Sequence, residues 1–185
     1  MRYSLLPLLL LSAMLFTGCS ASVAVKHSAD WEDKVEYMLP VMGHRNFIVI
    51  ADSAYPLQSS PGITTLYTGQ GQVETVEQVL AMIEDADHVN PIIYVDAEMA
   101  AVTEADAPGI DAFRGELNAL LEGKPVQRLG HMEIIEKLDA SAELFNVLIL
   151  KTDLTLPYTS VFIELDCGYW DGDREQRLRE ALGQR

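Results

Sequence analysis

The run Phe47-Ile48-Val49-Ile50-Ala51 limits the fold more than any other stretch of this chain, because it is apolar at every position. A strand with one wet face alternates apolar and polar side chains. One that is apolar throughout has to be covered on both faces, the habit of parallel sheets flanked by helices. Pro91-Ile92-Ile93-Tyr94-Val95 repeats the pattern, and Ile63 to Tyr67, Val126 to Leu129, Val147 to Leu150 and Ser160 to Leu165 are further strand candidates. Between these runs the apolar residues recur at helical spacing. Trp31, Val35, Met38, Leu39 and Met42 mark a helix over Asp30 to Met42, which Pro40 should end or bend. Val73 to Glu84, Ile110 to Leu121 and Met132 to Leu144 are three more, and Asp173 to Leu182 is a charged terminal helix with Leu178 and Leu182 on one side. Strands alternating with helices predict an α/β sandwich with a mostly parallel sheet.

The chain opens on a different kind of segment. Arg2 is followed by the apolar run Leu5 to Leu15, and Leu15-Phe16-Thr17-Gly18-Cys19 closes it with small residues before a cysteine. This reads as an export signal over residues 1–18. The run is shorter than the ~20 apolar residues a spanning helix needs, and the Gly-Cys junction resembles a bacterial lipobox with Phe16 in the place of the usual Leu. Cys19 is then the lipidated residue, residues 19–29 a tether, and 30–185 a single domain held at the cell envelope by acyl chains alone. Ser20 is compatible with the outer membrane or the periplasmic face of a two-membrane envelope.

Loss of Arg2 with the leader takes the formal charge from −15 to −16. A surface this acidic repels phosphate backbones and anionic headgroups, which argues against nucleic acid or a peripheral membrane face as partner. With Cys19 committed to lipid, Cys167 stands alone, so no intrachain disulfide is expected. Its place in the run Val161 to Cys167 predicts a buried, inert thiol.

Several polar residues interrupt this pattern in places where chemistry is usual. Gly43-His44 precedes the first strand, and Asp52-Ser53-Ala54-Tyr55-Pro56 leaves its carboxyl end, where α/β sheets build their sites. Five strand residues at ~3.3 Å each put more than ~15 Å between His44 and Asp52, so a straight strand keeps them apart within one subunit. Either a loop folds back or the site is shared between subunits. His131 and Pro157-Tyr158-Thr159-Ser160 complete the set.

These residues resemble the D-ribose pyranase and L-fucose mutarotase (RbsD/FucU) family. Its members carry a Gly-His, an Asp eight residues later in an Asp-Ala-x-x-Pro segment, and a C-terminal Tyr-x-Asn before a last strand. The likeness runs from about Trp31 to about Gly168, with Ser160 where the family has Asn. It implies a three-layer α/β/α sandwich, ring-like homo-oligomers with sites at subunit interfaces, and interconversion of monosaccharide ring forms without a cofactor or metal. It also implies His44 as the acid/base histidine, Asp52 and His131 as sugar ligands, and Tyr158, Thr159 and Ser160 as a C-terminal strip in which Tyr158 serves both catalysis and binding. Opening a hemiacetal moves one proton off the anomeric hydroxyl and another onto the ring oxygen, which histidine can do near neutral pH. A carboxylate can accept bonds from sugar hydroxyls, and Tyr55 or Tyr158 can cover an apolar sugar face. The alternatives are a non-catalytic sugar-binding lipoprotein and a scaffold on the same fold.

Plainer roles fit the same residues: His44 as a helix-end turn residue, Asp52 as a turn carboxylate, His131 as the start of a helix, Tyr158 as a half-exposed aromatic. Gly69-Gln70-Gly71 reads as a turn. Glu98, Glu104 and Asp106 read as a solvated face, and Asp166, Asp171 and Asp173 as an acidic turn.

Overall fold

The computed structural model describes residues 29–184. The segment read as an export signal, Cys19 and nearly all of the expected tether lie outside them. Six strands form one sheet: β1 (Phe47–Ala51), β2 (Ile63–Tyr67), β3 (Val89–Asp96), β4 (Val126–Leu129), β5 (Val147–Lys151) and β6 (Val161–Cys167), in the order β2-β5-β1-β6-β3-β4. The neighbours β2 and β5, β5 and β1, and β3 and β4 pair in parallel. β6 runs antiparallel to both β1 and β3. The sheet is therefore mostly parallel, with one reversed strand near its centre.

Helices cover both faces. Along β1, Ile48 and Ile50 point to one side and pack into a core with Trp31 and Val35 of α1 (Ala29–Met38), Val76, Val79 and Ile83 of α2 (Gln72–Glu84), and Ile110 and Leu117 of α3 (Ile110–Leu120). Phe47, Val49 and Ala51 point to the other side, where Ile134, Leu138 and Ala142 of α4 (His131–Ala142) meet them. That two-sided burial is why the run carries no polar residue, and it produces the three-layer α/β/α sandwich the sequence implied. No helix among the described residues is long and apolar enough to cross a membrane.

The chain departs from its sequence reading in small, physically clear ways. α1 stops at Met38, and Pro40 sits inside a following 3-10 turn, Leu39–Val41, where its missing N–H costs nothing. His88, to which the sequence assigns no role, places Nε2 3.1 Å from the carbonyl oxygens of both Leu39 and Met42 and so ties that turn to the start of β3. β6 runs past Leu165 to Cys167, whose partner Val89 is the first residue of β3. Cys167 is consequently half-buried at the sheet's lower end, not buried as its apolar neighbours suggested. The next residue, Gly168, packs its Cα against the backbone of Asp87–Val89, where an added Cβ would come within 2.5 Å of Asp87 O. Beyond it α5 (Gly172–Ala181) is capped by Asp171, whose side chain accepts from Arg174 N–H at 2.8 Å, and buries none of its residues.

These contrasts set an expected stability difference. Leu148 is fully buried on β5, and its replacement by alanine should cost about 2–5 kcal/mol. Leu178→Ala on α5 should change stability by no more than about 0.5 kcal/mol, both read from urea denaturation midpoints.

Candidate functional site

Because five strands point one way, the ends of β1, β3, β4 and β5 and the beginning of β6 all lie at one edge of the sheet. A buried side chain sets the spacing there. Gln72, the first residue of α2, is 2% exposed and donates from Nε2 to Ile50 O of β1 at 3.0 Å and to Thr159 O at 2.8 Å, just before β6. Its Oε1 accepts from the Thr152 hydroxyl at 2.6 Å, just after β5; that hydroxyl also lies 3.1 Å from Ala51 O. One amide thus joins three strand ends, two residues from Asp52 and one from Ser160. Nothing in the sequence marks this role, since Gln72 looks like any polar residue entering a helix.

Asp52 and Ser160 meet as a result. Ser160 Oγ donates to Asp52 Oδ2 at 3.2 Å, and Asp52 Oδ1 accepts from Ala54 N–H at 2.9 Å, closing the turn beyond β1. Thr159 is fully buried, with its hydroxyl bonded to Leu156 O at 2.8 Å. Tyr158 is turned outward instead. Its backbone adopts φ 58°, the left-handed region that non-glycine residues rarely occupy, and its ring is 40% exposed. The ring meets the His131 imidazole edge to face, with centroids 5.4 Å apart and planes at 84°.

His131 opens α4 and is fixed at both ends. Gly130 before it has no side chain to cap the helix, so Glu98 does so from the 3-10 turn after β3, both carboxylate oxygens accepting the His131 N–H at 3.0 and 2.9 Å. Glu98 is therefore a helix cap and not merely part of a solvated face, and this bond holds its carboxyl below the ordinary glutamate value. The His131 ring places Nδ1 3.1 Å from Oδ1 of Asp96, the last residue of β3. A carboxylate only accepts, so the neutral ring carries its proton on Nδ1 and keeps Nε2 as its free acceptor. Asp96 is 1% exposed; burial pushes its carboxyl up, while the bond to His131 pulls it down. The sequence reading passed over Asp96, although it stands after an apolar strand just as Asp52 does.

Around these groups lies a cleft of about 430 Å³, lined by Asp52, Tyr55, Gln58, His131, Pro157 and Tyr158 among others. Tyr55 is 6% exposed; burial first, then the charges of Asp139, Asp96 and Asp52, push its phenol up to about 12, so it stays neutral. His44 is elsewhere. It lies in the turn before β1, its ring 60% exposed and Nε2 3.5 Å from Asp166 Oδ1 on β6, in a separate groove shared with Cys167 and Trp170. Of the residues singled out in the sequence, Asp52, His131, Tyr158 and Ser160 are thus brought together, Thr159 supports them from inside, and His44 occupies the opposite edge. Among the described residues no three histidine, cysteine or carboxylate side chains converge as metal ligands would.

No family model matches the chain, and no curated protein does. Solved structures do. RbsD of Bacillus subtilis, complexed with D-ribose, is 20% identical with a TM-score of 0.51, over 72% of this chain and 91% of that one. The chain has an RbsD-like fold. The fucose mutarotase from Streptococcus pneumoniae, in complex with L-fucose, matches at 20% identity and a TM-score of 0.51 over 77% and 97% of the two chains. FucU from Bifidobacterium longum matches at 17% and 0.50, over 72% and 94%. What this RbsD-like chain shares with them is the sandwich.

The site gives two expected outcomes. Gln72→Leu strands buried carbonyls and a hydroxyl, and should lower stability by on the order of 3 kcal/mol in urea while speeding hydrogen exchange at the Ala54 amide. The second follows from proton linkage. Asp96, raised above its ordinary 3.8, contributes less stability as pH rises through the window above that value. Glu98, lowered from 4.5, contributes stability that is present above that value and lost as pH falls through its depressed value. In urea titrations over pH, Asp96→Asn should gain on the wild type as pH rises from about 4, whereas the deficit of Glu98→Gln should vanish in acid.

Proposed function

We propose that this protein takes a free monosaccharide into the cleft beside Asp52 and His131 and interconverts its ring forms by acid–base opening of the hemiacetal. The observation that carries the reading is the imidazole of His131, lining the cleft with its tautomer set by a buried carboxylate. The likeness to a ribose-bound RbsD and a fucose-bound mutarotase supports it.

In this reading Nε2 of His131 takes the proton of the anomeric hydroxyl. As the bond between the anomeric carbon and the ring oxygen breaks, a carbonyl forms and the ring oxygen receives a proton. Rotation about the adjacent carbon–carbon bond and reversal of both transfers give the other ring form. Asp52, steadied by Ser160, accepts from sugar hydroxyls, and Tyr158, whose ring meets that of His131, covers a sugar face and supplies the second proton to the ring oxygen. His44 enters such a site only from a second copy, which is the ground for proposing a homo-oligomer with shared clefts. The leader and Cys19 add the proposal that the protein works at the cell envelope on a lipid anchor.

Exchange NMR on ribose, fucose and other aldoses tests the whole. The full chain should speed exchange between ring forms, and His131→Ala should lower that rate by about 100-fold or more. Asp96→Asn should slow exchange while leaving sugar affinity within a few-fold, because it acts through the imidazole. If clefts are shared, a mixture of the His44→Ala and His131→Ala variants should recover part of the activity that each lacks alone. Sugar line broadening without exchange would make this a binding protein, and no effect on any aldose would end the sugar reading.

A further inference from the structure

The hydrogen-bonding capacity left open in the cleft is one-sided. Asp96, almost fully buried, stands behind His131 with Oδ2 unpartnered and does not itself line the cleft. Tyr55 and Gln58 line the wall together, the Gln58 side chain close enough to act on the Tyr55 hydroxyl. Asp52 adds a carboxylate that has taken up two donors and has lone pairs to spare. The spare acceptor that faces the cleft is thus that of Asp52, and such an acceptor marks a donor as what the ligand supplies.

Charge points the same way. Asp52 lines the cleft, Asp96 and Glu98 sit behind His131, and Asp139 lies close enough to act on Tyr55. Among the described residues no lysine or arginine lines it. Lys137, on the same helix as His131, is turned away to pair with Glu164 at 2.9 Å. A phosphorylated or carboxylated sugar would meet carboxylates with no cation to offset them. A neutral sugar is acceptable, but each of its hydroxyls is acceptor as well as donor. An ammonium group brings three donors, no acceptor and a positive charge.

We infer that the cleft selects a cationic amino sugar, a free aldose bearing an unacylated amine, over the neutral and anionic sugars of the same shape. This rests on the monosaccharide reading above and narrows it. The amine lies against Asp52, with the charge of Asp96 behind His131 adding to the field, and the anomeric hydroxyl remains for His131.

The test is titration calorimetry and exchange NMR on matched aldoses: galactose, glucose, mannose, fucose and ribose, each beside its 2-amino-2-deoxy counterpart and the N-acetylated form, which keeps the nitrogen and removes the charge. For the best pair, the amino sugar should bind at least about threefold more tightly than both others at low salt, the size of a partly exposed ion pair. Raising the salt from about 0.02 M to 0.5 M should erase most of that margin, and Asp52→Asn should shrink it while weakening the neutral sugar less. Neutral aldoses bound as well as or better than their amino counterparts would overturn this inference and leave the sugar site standing. A preference for the amine unmoved by salt and by Asp52→Asn would also overturn it, because charge would not be its source. Silence from every sugar in both assays would instead remove the reading on which it rests.

Discussion

The arrangement of this molecule depends on one reversed strand. β6 enters the sheet between β1 and β3 and pairs with both, so that the chain before it, Pro157 to Ser160, arrives at the same edge where β1, β3, β4 and β5 end. Had β6 been parallel, its carboxyl end would have come to that edge and the tyrosine loop would lie at the other. Reversal is what puts Ser160 beside Asp52 and Tyr158 beside His131. The position of these side chains is thus a consequence of the backbone ladder before any of them makes a bond.

On that frame polar side chains do two different jobs. Gln72 and Thr152 are spent inside, holding strand ends that would otherwise splay where the ladder stops. Asp96 and Glu98 are spent on a single residue, one fixing the ring of His131 and the other its backbone. The division explains why the cleft wall is set by bonds from behind it.

Much of this was legible in the sequence, for identifiable reasons. An unbroken apolar run such as Phe47 to Ala51 reports burial on both faces, and helical spacing reports the layers that bury it, so the sandwich and most element bounds could be read directly. Counting residues along β1 also separated His44 from Asp52 in one subunit. Strand direction was not legible, because apolar periodicity is the same whichever way a strand runs. Nor was the second tier of the site: Asp96 and Glu98 act across 35 and 33 residues of sequence on His131, and nothing local to them marks that. Cys167 was misjudged because its neighbours are apolar, whereas burial at a strand's last residue depends on what lies beyond the sheet.

The unburied α5 divides the molecule mechanically. At the cleft edge every strand terminus is tied to another element, so movement there needs the core to yield. At the opposite edge the chain passes Gly168 and ends in a helix that is capped by Asp171 and buries none of its residues. Segments with so little buried area open and close by themselves, far below the cost of global unfolding. The sheet therefore has a stiff pole and a soft one, and His44, Cys167 and Trp170 belong to the soft pole. His44 and Trp170 are already open to solvent there, and access to the half-buried Cys167 follows how often a short tail lifts, independently of how stable the sandwich is.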